Sequence, residues 1–402
     1  MPALSVATAF QRHFGYTAPL LVRAPGRVNL IGEHTDYNLG FVLPAAIDRE
    51  IYFAVGLNNG SEIRLVSQDL NDCCTVAVDQ LRRTDTQWAN YLLGVAAQLQ
   101  QRGVVLAGFD CVFGGNIPVG AGLSSSAAVE CGLAFALDQL LGAKLDKMTL
   151  AQAAQKAEHE YAGVMCGLMD QFASLFGRPG HVVRLDCRSL AYEYFPFDTR
   201  ACRIVLCNSG VKHSLADSAY NQRRQECEQG VAVLRRHYPE VQSLRDVTPD
   251  MLVAHRAEFD PTVYRRCAYV VAENQRVLQA GEALQRHDLA ALGQLMYASH
   301  AGLRDDYEVS CPELDALVET AQGQPGVYGS RMMGGGFGGC TINLVAPEHA
   351  DAFVRAATEA YQQRFGLTLE TYQTSIVDGV SEATAAELPT VSQSAPLPDD
   401  CR

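Results

Sequence analysis

Gly114-Gly115-Asn116-Ile117-Pro118-Val119-Gly120-Ala121-Gly122-Leu123-Ser124-Ser125-Ser126-Ala127-Ala128-Val129-Glu130 is the stretch on which the reading of this chain turns. Glycines at 114, 115, 120 and 122 precede three serines and an alanine-rich apolar run to Leu141, whose spacing predicts a helix ending at Gly142. A glycine-rich loop that feeds a helix start suits an anion such as phosphate. Glycine lets the backbone approach closely, and the free N–H groups of the first turn face the ligand together with the positive end of the helix dipole. Serine hydroxyls add neutral groups that can bind oxygen or a metal ion. Taken alone, the loop also suits a tight turn before a core helix.

The loop is not a Walker motif, which needs lysine after its last glycine, and the chain has no Gly-Lys pair. Its four lysines are Lys144, Lys147, Lys156 and Lys212, so no lysine sits on a candidate third strand, and no His-Arg-Asp loop occurs to suggest a protein kinase. The 402 residues allow two ordinary domains, and 48% hydrophobic with 19% charged residues fits a globular protein. A net charge of -13 argues against a nucleic-acid surface and for small-molecule chemistry. Thirteen cysteines without a Cys-x-x-Cys pair support neither a zinc site nor a disulfide framework. Cys111, Cys131, Cys207 and Cys340 lie in apolar runs, as reduced buried thiols of a cytoplasmic protein would. No export signal and no membrane span are expected.

Two further stretches carry unusual chemistry. A strand over Leu20 to Ala24 leads into Pro25-Gly26-Arg27-Val28-Asn29-Leu30-Ile31-Gly32-Glu33-His34-Thr35-Asp36-Tyr37-Asn38, and strand-like residues return over Leu43 to Gly56. The polar segment is thus a loop held between two strands. Arg27 can pair a phosphate or carboxylate, and Glu33, His34 and Asp36 suit several hydroxyls; a loop capped by its own Asp and Asn side chains is the bland alternative. After a helix over Leu150 to Tyr161, which carries Glu158, comes Gly163-Val164-Met165-Cys166-Gly167-Leu168-Met169-Asp170-Gln171-Phe172. An acid in such apolar surroundings needs a partner such as Arg27, or else caps a helix. Trp88, the one tryptophan, either packs on the core or stacks on an adenine.

The second half begins with strands over His181 to Asp186, Tyr192 to Phe195 and Arg203 to Asn208, followed by helical patterns from Ser214 to Gln322. Gly334-Gly335-Gly336-Phe337-Gly338-Gly339 has dinucleotide-motif spacing, but it lies between strands Val327 to Met332 and Cys340 to Val345, whereas a Rossmann fingerprint opens a helix. The residues from Pro389 onward read as a disordered tail.

With these stretches in hand the chain resembles the galactokinases, members of the GHMP small-molecule kinase superfamily, from about Arg23 to Ile376. The resemblance rests on the residues at 24–38, Gly120 to Ala128, Cys166 to Gln171 and Gly334 to Cys340. It implies an α+β, two-domain GHMP kinase: an N-terminal ribosomal protein S5 domain 2-like part over 1–200, with the sugar segment and the phosphate loop, and a ferredoxin-like part over 201–388, followed by the tail at 389–402. It implies transfer of phosphate from ATP to the anomeric hydroxyl of α-D-galactose, the entry step of galactose catabolism. Glu33, His34, Thr35, Asp36, Gly167, Asp170 and Tyr220 resemble the sugar contacts. Gly120, Ala121, Gly122, Leu123, Ser124, Ser125 and Ser126 resemble the ATP phosphate loop, Ser126 and Glu158 the Mg²⁺ ligands, Asp170 the catalytic base and Arg27 the transition-state stabiliser. Met333 departs from the small hydroxyl residue of many relatives. A cytoplasmic monomer without nucleic-acid or membrane partners is expected. The alternatives are a kinase for N-acetylgalactosamine or another sugar and a non-catalytic galactose sensor; mevalonate-type kinases share the loop but lack the sugar segment.

Overall fold

The computed structural model describes residues 5–118, 120–211 and 216–389. The apolar spacing of Leu4, Ala7, Phe10 and Phe14 predicts a helix over 4–14; its first residue, Ser214 at the start of the later helical patterns, and the tail beyond Pro389 lie outside the described residues.

Helix α1 (Val6–Phe14) begins where Ser5 Oγ accepts the N–H of Thr8 and ends at left-handed Gly15. Strand β1 (Leu20–Asn29) runs through the polar segment into β2 (Phe41–Val42) and the long β3 (Pro44–Leu57). Strands β4 (Glu62–Ser67) and β5 (Asp72–Ala77), helix α2 (Gln87–Gln101) and β6 (Phe109–Gly115) follow. Beyond the glycine loop lie α3 (Ser125–Leu141), α4 (Lys147–Ala157) and α5 (Met169–Phe176). Between α4 and α5 the expected helix does not run on to Tyr161 as an α-helix. It loosens into a π-helical turn over Glu158–Ala162, so that Gly163 N–H reaches Glu158 O.

The rest of the chain comprises β7 (His181–Asp186), β8 (Tyr192–Pro196), β9 (Arg203–Asn208), α6 (Ala216–Arg235), α7 (Pro249–Ala254), α8 (Pro261–Gln285), α9 (Leu289–Asp305) and α10 (Pro312–Gln322). Then come β10 (Val327–Met332), β11 (Cys340–Val345), α11 (Ala350–Phe365), β12 (Glu370–Thr374) and β13 (Ser381–Glu382).

The described strands form three sheets. The largest has the order β13-β1-β3-β6-β4-β5, antiparallel except for the parallel pair β4 and β6. Strand β6 lies inside it, with β3 on one side, so the glycine loop leaves a strand that cannot shift. The second sheet, β10-β11-β9-β12, is antiparallel. Its strands stand in space as last, first, third and second of their own chain order, with helices after the first and third, which is the ferredoxin-like arrangement. A small sheet β2-β7-β8 joins the polar segment to the strands after α5. The sheets do not divide cleanly at residue 200. Strand β13 crosses back to pair with β1, and buried Leu388 packs in the cluster that holds Phe10 of α1.

Helix α3 is buried along most of its length because alanine, glycine and leucine let it lie close on β1 and β3. Cys111, Cys131, Cys207 and Cys340 are buried free thiols, filling core space as small apolar groups. The second sheet is set by an equally close approach. A Cβ on Gly293 of α9 would lie 1.8 Å from the backbone oxygen of Tyr328 at the start of β10. Gly293→Ala is therefore expected to destabilise the protein by about 1–3 kcal/mol. Urea unfolding checks it against Gly323→Ala, whose added methyl meets only Thr320 O, at 3.8 Å, and should change little.

Candidate active site

Arg27 lies in β1 with 4% of its surface exposed, and both edges of its guanidinium are used. Its Nε and Nη2 donate to Oδ1 and Oδ2 of Asp170 at 2.8 and 3.1 Å, although the two residues stand 143 positions apart. Its Nη1 donates to Gly122 O at 2.5 Å, and its backbone N–H to Leu123 O at 3.1 Å. One arginine thus staples the glycine loop to the strand and the loop to the acid. Burial opposes the guanidinium's charge, but the charges of Asp170, Glu33 and Asp36 outweigh it and hold the pKa above the ordinary arginine value. Asp170 is not a helix cap: Leu168 holds that position, and Asp170 lies in the first turn of α5.

At the start of α3 the serines have separate tasks. Ser124 is the N-cap residue but adopts a left-handed φ of 60° and makes no side-chain cap. Its hydroxyl donates instead to Asp170 Oδ2. The helix-start N–H groups therefore keep their unfilled donor capacity, which is what an anion site requires. Ser126 Oγ donates to Glu158 Oε1 at 3.1 Å. The π-turn places Glu158 beside Gln171, whose Nε2 donates to Glu158 Oε2 at 2.8 Å and to Glu130 Oε2 at 3.1 Å. Burial first, then the charge of Asp170, pushes Glu158 up to about 7 against the hydrogen bonds from Cys166, Ser126 and Gln171. Burial and Glu158 hold Glu130 well above the usual carboxylate range. Glu130 Oε1 and Gln171 Oε1 are buried without a hydrogen-bond partner.

The polar segment is locked from the other side by the third glycine stretch. Arg331, fully buried in β10, donates to Leu30 O and Met332 O, each at 2.7 Å, to Asn29 O, and to Glu33 Oε1 at 3.0 Å. Gly334 N–H donates to the same Glu33 oxygen at 2.8 Å. Met333 puts its sulfur 3.4 Å from Asn29 N, so the residue that departs from the family pattern is a buried contact across the two stretches.

His34 has a φ of 63°, and burial drives its pKa down to about 3, leaving a neutral ring. Its Nε2 lies 3.2 Å from Gly335 O, which can only accept, so Nε2 carries the hydrogen. Nδ1 must then accept from Tyr37 OH at 2.8 Å, and Tyr37 in turn accepts from Tyr307 OH at 2.7 Å. The tautomer follows from a directional chain of hydroxyls. Asp36 accepts from Tyr37 N–H at 2.9 Å, and a Cβ on Gly167 would come within 2.0 Å of its Oδ2, so only glycine fits there. Burial first, then the Asp170 charge, raises Asp36 to about 7.

Arg27, Glu33, His34, Asp36, Gly167 and Asp170 face one cavity of about 50 Å³, closed by the ring of Tyr220 5.2 Å from that of His34. Thr35 is placed elsewhere. Its hydroxyl is fully buried and faces Gly32 O and Phe41 O, so it holds the loop's shape and does not line the cavity. A larger cavity of about 720 Å³ is lined by Trp88, Tyr91, Asp72 and Tyr161 among others. Trp88 is half-buried, donates its indole N–H to Asp72 at 2.8 Å and borders this space. Sequence reasoning missed the Glu130 and Gln171 carboxylate network and the anchoring role of Arg331. Glu130 is the sixth residue of α3, in an apolar run, and such an acid is the signal that marks a buried polar site.

The GHMP kinases N terminal domain model matches residues 90–178 and the GHMP kinases C terminal model residues 281–363. The fold is also that of the Methanococcus jannaschii mevalonate kinase, with a TM-score of 0.62 over 89% of this chain and 98% of that one at 16% identity. The chain is a kinase of the GHMP class. The galactokinase galactose-binding signature matches residues 8–57. A galactokinase of Roseiflexus sp. (strain RS-1) is 45% identical over 371 residues, 92% of this chain and 95% of the relative. The crystal structure of Lactococcus lactis galactokinase complexed with galactose superposes with a TM-score of 0.91 at 36% identity, over 94% of this chain and 99% of that one. The chain belongs to the galactokinase family.

The raised Asp36 makes a testable statement about stability. Its folded pKa of about 7 lies above the ordinary 3.8, so its contribution is present at low pH and lost as pH rises through about 7. Asp36→Asn removes this loss. The ligand-free variant should exceed the wild type in stability at about pH 8.5, by a margin that shrinks by up to about 1.4 kcal/mol per pH unit towards about pH 6. Urea unfolding at the two pH values reads the margin, and a constant one would count against the assignment.

Proposed function

We propose that the cleft transfers the γ-phosphoryl group of ATP to the anomeric hydroxyl of α-D-galactose, giving galactose 1-phosphate and ADP. The observation that carries this is the Arg27–Asp170 pair: two hydrogen bonds tie the arginine of the polar segment to the acid of α5, and the same guanidinium donates to Gly122 O of the glycine loop. Asp170 lies at the wall of the small cavity and accepts the hydroxyl proton as the sugar oxygen attacks. Arg27 lies between that acid and the loop, where it offsets the charge of the transferring group, and the helix-start N–H groups of α3 hold the phosphates. Neutral His34 offers its Nε2–H to a sugar hydroxyl in exchange for Gly335 O, while Glu33, Asp36 and Gly167 complete the sugar wall. Tyr220 closes it.

The ATP base and ribose fit the larger cavity beside Trp88. That cavity is bordered by Tyr161 and Ala162, which continue the turn begun by Glu158, and its volume suits a nucleoside. Mg²⁺ is the ion that the resemblance implies. Ser126 Oγ and the Glu158 carboxylate would hold it, and the unpartnered buried Oε1 of Glu130 nearby makes the donor set all oxygen, as a hard divalent cation requires. A bound Mg²⁺ supplies charge neutralisation on the phosphates. The cleft is complete within one chain, which supports a monomer, and consumption of ATP supports a cytoplasmic setting. Among the described residues no helix is long and apolar enough to cross a membrane.

Asp170→Asn is expected to lower turnover by about 10²–10⁴-fold while leaving galactose affinity measured without nucleotide nearly unchanged. ADP release with galactose, glucose, N-acetylgalactosamine or no sugar, with phosphorus NMR of the product, checks both substrate and base. Near wild-type turnover by the asparagine variant would refute the base, preference for N-acetylgalactosamine would move the substrate, and galactose binding without any ADP would favour the sensor.

A further inference from the structure

Outside the cleft, the cluster with metal-ligand chemistry among the described residues is His237, His255 and Glu258. It is already closed on itself: His237 Nε2 and His255 Nδ1 each lie 2.9 Å from a Glu258 oxygen, and Arg236 stands 3.7 Å from the same carboxylate. The cleft holds the more informative arrangement, at Ser124.

Three facts set Ser124 apart from an ordinary residue of a phosphate loop. Its φ of 60° is a conformation that a non-glycine residue adopts only at a cost, and its hydroxyl leaves the helix start uncapped. That same hydroxyl donates to Asp170 Oδ2, which also accepts from Arg27 Nη2. Both lone pairs of this oxygen are thereby used, while Oδ1 accepts from Arg27 Nε. Oδ2 cannot take a sugar hydroxyl until one donor leaves. Arg27 is buried and also fixed to Gly122 O. Ser124 is the donor free to leave, since among the described residues its hydroxyl makes only this hydrogen bond, and a phosphate at the helix start offers it a second charged acceptor.

We propose that Ser124 is a positioning residue that couples the two substrates, with its hydroxyl occupying Asp170 Oδ2 in the nucleotide-free protein and turning to a phosphate when the nucleotide binds. The released Oδ2 then accepts the anomeric hydroxyl. This rests on the reading of Asp170 as the base and of the glycine loop as the phosphate site. Nucleotide binding therefore raises galactose affinity, and by linkage galactose raises nucleotide affinity by the same factor.

The test is the dissociation constant of D-galactose, by calorimetry, without nucleotide and with saturating Mg²⁺ and the non-hydrolysable analogue adenylyl imidodiphosphate. In the wild type the nucleotide should tighten galactose binding by about fivefold or more. Ser124→Gly removes the hydroxyl and accepts the left-handed backbone without strain. In it the nucleotide-free affinity should rise towards the nucleotide-bound value, and the ratio should fall below about twofold. Ser124→Ala should reproduce the lost coupling, at some expense in stability from its backbone conformation. A loss of stability alone would not abolish the ratio between two affinities measured on one folded variant. Equal ratios in the wild type and Ser124→Gly, whether both large or both near one, overturn the proposal. Turnover of Asp170→Asn at near wild-type rate would instead overturn the base assignment, and it is read in a separate assay.

Discussion

A guanidinium buried beside a backbone carbonyl and a carboxylate is the interaction on which the cleft depends. An isolated arginine with 4% exposure would cost several kcal/mol in lost hydration, so Arg27 must be paired, and its partners fix three elements at once. Strand β1 carries it, Gly122 O ties it to the glycine loop, and Asp170 ties it to the first turn of α5. The planar fork permits this because it donates along two edges in fixed directions; a lysine ammonium would have neither the reach nor the geometry. One side chain thus joins the strand, the glycine loop and the acid of the cleft.

The same logic recurs on the opposite wall. Arg331 lies fully buried between the polar segment and the second sheet and donates to three backbone carbonyls as well as Glu33. The third glycine stretch therefore holds the polar segment: Gly334 donates to Glu33, and Gly335 accepts from His34. Its glycines bring backbone donors and acceptors to where side chains could not fit. The cleft lies between two sheets because each contributes one buried arginine and one set of backbone groups to the same few acids.

Stability and chemistry oppose each other in this region. Asp36, Glu158 and Glu130 are held above their ordinary carboxylate range mainly by burial, and His34 is held neutral by the same cause. Acids gathered this closely repel one another, so burial and mutual charge raise them together. Functional sites are where such shifted groups are expected to gather. The Glu130 and Gln171 oxygens left without partners belong to the same region.

Local residue order determined much of this. Glycine placement and hydrophobic period located β6, the loop and α3, since backbone freedom and burial act over a few residues, and the polar runs at 25–38 and 163–172 marked the acids and arginine of the cleft. Tertiary structure decided what the pattern could not. The return of β13 to the first sheet, the placement of Thr35 away from the cavity, the π-turn that aims Glu158, and the partnership of Ser124 with Asp170 all depend on groups far apart in the chain. Hydrogen bonds and buried charges are satisfied by whichever partner the packing brings near. Only the assembled core fixes which one that is.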